Sequence, residues 1–239
     1  MNLISHIDTP NRLLLVWQSP EGTERNRFVV GEVCLDDKGY MFRYLVNTVQ
    51  FDNACTEGFT CYPAFRKTNQ EYREGILETF LRRMPPRKRG DFGKYLEQWR
   101  LSSDIEISDF ALLGHTGAKL PNDGFSLINP FDNIDAPYEF YIEVAGFRYQ
   151  DVLLEDISED MVVEFISESD NKKDKNAVRV EVAGQRIGYI NKAQSVAFNR
   201  WVQQYSITAC IERINGTADR PLIYVFGRVD STEMEKSVA

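Results

Sequence analysis

Three groups of side chains in this sequence have types and spacings that could do chemistry. Arg148 and Tyr149 follow an apolar run from Glu139 to Gly146. A guanidinium beside a phenol at a strand end can hold a phosphate and stack a base. It reads equally well as an exposed arginine beside a half-buried tyrosine. The second group is Asp170-Asn171-Lys172-Lys173-Asp174-Lys175-Asn176. It has the look of a calcium loop, but a lysine holds its third position and Lys175 stands where the sharp turn needs glycine. An aspartate such as Asp174 among lysines such as Lys173 can accept a hydroxyl while the lysines meet phosphate. Taken alone, the segment is an ordinary polar hairpin. The third group is the basic run Arg82, Arg83, Arg87, Lys88 and Arg89, five charges in eight residues. It suits phosphates or an acidic partner, although Arg82 and Arg83 also complement the negative end of a preceding helix.

Other chemistries find little support. Cys34, Cys55, Cys61 and Cys210 form no Cys-x-x-Cys pair, and only His6 and His115 could join them, so no zinc spacing is present and no metal or cofactor is expected. Free thiols in a reducing compartment are the expectation. Gly114-His115-Thr116-Gly117 is too short for a phosphate loop, and no Gly-x-Ser-x-Gly elbow occurs. No catalytic residue is assigned, and the chain is expected not to be an enzyme.

The composition, 43% hydrophobic and 27% charged, fits a folded globular protein rather than a disordered or fibrous one. No apolar run approaches a membrane span, and Met1 to Pro10 lacks the order of a signal peptide, so the expected location is cytoplasmic. The net charge is −8, and neither the first 135 residues nor the rest carries a basic excess. Any nucleic-acid contact is therefore expected in a local pocket rather than along a basic tract.

The 239 residues suit two small domains in an α+β arrangement. Prolines at 130 and 137 flank an acidic, turn-rich stretch, which gives a module over 1–129, a linker over 130–137, a second module over 138–230 and a flexible tail over 231–239. In the first module, an α/β one, Leu13–Trp17, Phe28–Leu35 and Tyr40–Leu45 read as strands. Thr68-Asn69-Gln70-Glu71 reads as a capping box for a helix carrying Tyr72, Ile76, Phe80 and Met84, ended by Pro85-Pro86. Asp91 can cap a helix with Phe92, Tyr95, Leu96 and Trp99 on one face. The second module reads as six short strands with one main helix, around Ala193, Ala197 and Trp201, in a small closed or half-closed barrel. Val182-Ala183-Gly184-Gln185 is its clearest hairpin turn.

This second module resembles the HIRAN domain over about residues 138–229. The matching residues are Val144-Ala145-Gly146-Phe147-Arg148-Tyr149, then Asp174-Lys175-Asn176-Ala177-Val178-Arg179-Val180, then Ile187-Gly188-Tyr189-Ile190. The resemblance implies an architecture like oligonucleotide-binding barrels. In one member, attached to a fork-remodelling DNA translocase, the domain captures the 3′ end of single-stranded DNA. By that resemblance Arg148 and Tyr149 would hold the terminal phosphate and base, and Asp174 would accept from the 3′ hydroxyl. Tyr189 and Lys192 would line the floor and meet a phosphate, and Asn176 would fix the loop that carries Asp174. The chain departs from that member at Gln150 and Lys173, where it has aromatics, and around Thr217–Arg220, where no counterpart of a further aromatic stands. Stacking is worth about 1–3 kcal/mol per base, so lost platforms weaken single-strand affinity.

The first module resembles the N-terminal segment of HipA-type kinases over about residues 12–128. The matching features are Leu14-Leu15-Val16-Trp17, Gly31-Glu32-Val33, Phe42-x-Tyr44-Leu45, Gly58-Phe59 with Pro63, and Leu81-Arg82-Arg83-Met84-Pro85. The catalytic part of such a kinase has no room here. The expectation is a bacterial or phage-derived adaptor that binds single-stranded nucleic acid or a DNA end and docks a protein through its first module. The alternative is an antitoxin-like or regulatory subunit that binds a separate HipA-type kinase core and no nucleic acid.

Overall fold

The structure, a computed structural model, describes residues 2–5, 7, 9–20, 26–120, 123–132, 134–172, 174–217 and 220–231. The chain divides into two compact units. One comprises Ile7–Trp99 and Ser103–Asp132, and the other comprises Met1–His6, Arg100–Ser102 and Asn133–Ala239.

The first unit is built on a four-stranded antiparallel sheet in the order β3-β2-β1-β4, with β1 Arg12–Gln18, β2 Arg27–Asp36, β3 Gly39–Tyr44 and β4 Phe125–Ile128. Its helices are α1 Val49–Thr56, α2 Ile76–Leu81, α3 Phe92–Gln98 and α4 Asp109–Thr116. Ser108 caps α4 by accepting from the Ala111 amide, the role that suits a short hydroxyl side chain. Aromatic side chains fill the core. Phe42 stacks on Phe65 with centroids 4.6 Å apart, and Tyr62 meets Phe80 at 5.1 Å. Such pairs contribute roughly 0.5–1.5 kcal/mol each beyond their burial.

Two sequence expectations fail here. The helix expected from Tyr72 begins only at Ile76, and the Thr68 capping box does not form. Tyr72 instead pairs with Phe42 through two backbone hydrogen bonds of 2.9 Å, so this stretch extends the sheet. Met84 lies beyond the helix end. Asp91 stands ahead of α3, but its carboxylate pairs with Arg89 and caps no amide.

The second unit contains β5 Tyr138–Glu143, β6 Val163–Ser167, β7 Val178–Val182, β8 Gln185–Tyr189, α5 Ser195–Gln204, β9 Tyr205–Thr217 and β10 Arg220–Ser231. They form two antiparallel three-stranded sheets, β5-β10-β9 and β6-β7-β8. The expected barrel is not closed among the described residues. The sheets are joined by isolated bridges, Ala145 to Tyr189 and Val162 to Cys210. The β7–β8 hairpin turns at Ala183 and Gly184 with φ of 50° and 76°, the paired left-handed geometry that matches strand twist. Phe140, Phe198 and Trp201 pack at the centre, and Gly227 leaves the room that the Phe140 ring occupies.

A clasp of distant segments completes this unit. Ile4 bridges Leu101 in parallel, and the Ile4 amide donates to the Arg100 carbonyl at 2.7 Å. Arg100 meets the buried Glu212 carboxylate at 2.8 Å, and Asn2 donates to the same carboxylate from its backbone and its amide.

Candidate nucleic-acid interface

The site begins with a glycine. Gly188 has φ of 152°, and a Cβ there would lie 2.5 Å from the Ala145 carbonyl oxygen and 2.6 Å from Val144 Cγ1. Its missing side chain lets the end of β8 approach the chain beyond β5. Ala145 and Tyr189 then exchange two backbone hydrogen bonds, at 2.8 and 2.9 Å. This explains the Ile187-Gly188-Tyr189 motif physically. The chain next turns at Gly146, φ 81°, into a short 3-10 turn, Phe147–Tyr149. Phe147 is buried and anchors the turn, while Tyr149 is 62% exposed. The Arg148 guanidinium lies 4.5 Å from the Tyr149 ring centroid and donates to its hydroxyl. The two form an outward cation–aromatic pair.

A chain of hydrogen bonds runs from this turn to the Asp174 loop. Arg186 donates to the Gln150 side-chain oxygen at 2.7 Å and to the Tyr189 hydroxyl at 2.9 Å. That hydroxyl donates to Glu168 at 3.0 Å. Asn171 donates to Glu168 at 2.6 Å and accepts from the Asp174 amide at 3.1 Å. The Asn171 bond, more than any other group, holds the Glu168 carboxyl below its ordinary value; the Tyr189 bond and Arg179 add to this. Burial, and then the bond to Glu168, raises the Tyr189 phenol.

Asp174 Oδ1 accepts from the Asn176 amide at 3.0 Å, which closes a local turn. The Ser195 hydroxyl lies 3.4 Å from Oδ2 and 3.0 Å from the Lys192 carbonyl. A hydroxyl has one proton to donate, so the nearer carbonyl competes for it and Oδ2 retains acceptor capacity.

The structure thus links Arg148, Tyr149, Asp174, Tyr189 and Lys192 through neighbouring elements. Lys173 lies outside the described residues. Two roles change. The Tyr189 hydroxyl is committed to Arg186 and Glu168, so its place is to brace the site rather than meet a phosphate. Asn176 holds the loop only with its backbone amide, and the side chain that fixes the loop is Asn171. Sequence reasoning missed Glu168, Asn171 and Arg186. Arg186 stands two residues before Gly188, and that neighbourhood is the one signal that could have pointed to it. Gln150, where the resemblance has an aromatic, supplies the oxygen that orients Arg186.

The basic run in the other unit divides. Arg83 is buried, with bonds to Asp123 at 2.6 and 2.7 Å and to the carbonyls of Ala118 and Phe125. It is an internal brace and is not available for docking. Arg87 pairs with Asp109 and Arg89 with Asp91. Arg82 and Lys88 are exposed. Among the described residues no cluster of His, Cys, Asp and Glu could hold a metal ion, and no helix is long and apolar enough to cross a membrane.

Residues 137–230 match the family model of the HIRAN domain. That segment is a HIRAN domain. The crystal structure of the human HLTF HIRAN domain is 22% identical, with a TM-score of 0.29, over 38% of this chain and 75% of that one. A protein from Lactobacillus plantarum is 22% identical, with a TM-score of 0.33, over 38% of this chain and 91% of that one. No curated protein matches the chain. The resemblance of the first unit to HipA-type kinases finds no support in these comparisons.

Proposed function

We propose that the HIRAN domain binds the 3′ end of single-stranded nucleic acid, in a non-catalytic adaptor whose first unit docks a protein. One observation carries the reading: the hydrogen-bond chain from Gln150 to Asp174 ties an exposed Arg–Tyr pair to a carboxylate with acceptor capacity left. In this reading Tyr149 stacks the terminal base and Arg148 and Lys192 meet phosphate. Asp174 Oδ2 accepts from the terminal hydroxyl. A 3′ phosphate would instead bring a second anion against Asp174, with Glu168 close behind in the same network. The acidic chain and the few cations at the site suit capture of an end over coating of a strand. Docking by the first unit falls to the exposed Arg82 and Lys88, and a HipA-type kinase core is the partner class its resemblance suggests.

Fluorescence anisotropy with a short single-stranded DNA tests this. Wild type is expected to bind a 3′ hydroxyl end at least tenfold more tightly than a 3′ phosphate end. Asp174→Asn keeps an oxygen for the Asn176 amide but loses the charge, and it should lose that preference. Equal affinity for the two ends, or no binding at low salt, would overturn the reading.

A further inference from the structure

The incomplete barrel leaves two strand edges facing each other across an open groove. An isolated bridge between Val162 and Cys210 ties the stretch just ahead of β6 to β9. Beyond it lies a groove of about 560 Å3, lined by Val162, Phe165, Val202, Tyr205 and Ile207. Val162 is 70% exposed. Both edges have their peptide groups in phase. On β9 the Ile211 amide donates to the Met161 carbonyl at 2.9 Å, and its carbonyl accepts from the Asp160 amide at 2.8 Å. Antiparallel strands alternate, so the amides of Ala209 and Ile207 point the same way, into the groove. On β6 the Glu168 amide donates to Ala177 across the β7 register. The same alternation turns the Phe165 peptide groups outward to the groove, while its ring packs inward against Phe140 and Phe198.

The charge in the groove lining has one sign. Glu164 is the single charged residue in the lining, which holds no lysine or arginine. Asp160 stands at the bridged end; at the other, Asp135 bonds the Tyr205 hydroxyl with Arg200 close by. An apolar floor, free strand edges and acidic borders specify the occupant by complementarity.

We infer that this groove takes an extended, cationic segment of a partner protein, with apolar side chains at every second position. The segment adds as an antiparallel strand along β9 from Tyr205 to Ala209. Its backbone bonds the Ile207 and Ala209 groups. Its alternate apolar side chains fill the floor, and its lysines or arginines reach Glu164 and Asp160. This surface is separate from the Arg148–Asp174 site and gives the HIRAN domain a protein contact of its own.

The probe is an acetylated heptapeptide of alternating valine and lysine, titrated into the isotope-labelled full chain and followed by NMR and amide hydrogen exchange. The Ile207 and Ala209 amides are expected to gain at least tenfold protection. A peptide N-methylated at alternate residues keeps its side chains but loses one bonding edge, and it should bind at least tenfold more weakly. Glu164→Lys should weaken binding three- to tenfold and leave DNA-end affinity unchanged, whereas Asp174→Asn should leave peptide binding unchanged. Four results would each overturn the inference: perturbation centred elsewhere, equal binding of the N-methylated peptide, no protection at millimolar peptide, or concentration-dependent protection without peptide. The last would mean that a second copy occupies the edge.

Discussion

Replacing Gly188 with alanine tests both the fold and the site. The added Cβ would meet the Ala145 carbonyl at 2.5 Å, and backbone cannot swing aside as a side-chain tip can. Alanine at a φ of 152° adds strain of about 1–3 kcal/mol. If β8 retreats to relieve the clash, the two Ala145–Tyr189 hydrogen bonds are lost, at about 0.5–1.5 kcal/mol each. The sum is about 2–6 kcal/mol in the second unit. With a urea slope of ~1.5 kcal/mol per M, the midpoint of that unit falls by about 1–4 M. Urea titration followed by tryptophan fluorescence reads this, since Trp201 lies in the core of this unit. The same retreat moves Tyr189 away from the Arg148–Tyr149 turn, so end binding should weaken at least tenfold under folded conditions. A Gly188→Ala protein within about 1 kcal/mol of wild type, with unchanged DNA affinity, would refute the claim that this close approach builds the site.

Tyr149→Ala removes an exposed ring. It should cost about 1–3 kcal/mol of DNA affinity by anisotropy and shift stability by less than about 0.5 kcal/mol. Arg83→Met leaves Asp123 without its cation and should destabilise the first unit toward the low end of ~3–5 kcal/mol, since Asp123 keeps some access to water. Urea unfolding measures this, and Arg82→Met should have little effect on the same measurement. Burial lowers the His115 pKa to about 4, where its Nε2 proton is donated to the Trp99 carbonyl. The unfolded chain takes up its proton first as pH falls, so this contribution is full above pH ~6.5 and is lost toward pH 4. Melting temperature should fall over that window, and His115→Gln should flatten the fall. End capture through one to three phosphate contacts should give a log–log salt slope of about 1–2, and a slope near 5 would indicate binding along a strand instead.

Strands were the most legible part of the sequence. Leu13–Trp17, Phe28–Leu35 and the Val182–Gln185 turn each carry their information locally, in apolar runs and in residues that tolerate positive φ. The Tyr72 helix misled because Tyr72 sits at helical spacing from Ile76, yet its backbone finds the edge of β3 and its ring joins Phe42 and Phe65. No spacing rule reports such a non-local partner. The same holds at the site. Arg148, Tyr149 and Asp174 are visible as types, but Glu168 and Arg186 matter only because Gly188 brings two strand ends together. Arg83 is the clearest case of identity without context, since a basic run cannot show that one of its members points inward.

The clasp on Glu212 sets a limit on what may be cut away. The residues that match the HIRAN family begin at 137, but the cation facing Glu212 comes from Arg100, and further donors come from Asn2. A fragment confined to the matched segment would carry a buried carboxylate with neither. The sequence distance also bears on timing. During synthesis the strand that bears Glu212 emerges some 210 residues after Asn2, so Asn2 must wait for it before it can settle. The intervening first unit has its own sheet and core and can form in that interval. Closing so long a loop adds only slowly to the entropic cost, but it places the docking of the leading residues late. Replacing Asn2 would act at that late step, on the HIRAN domain rather than on the unit that follows Asn2 in sequence.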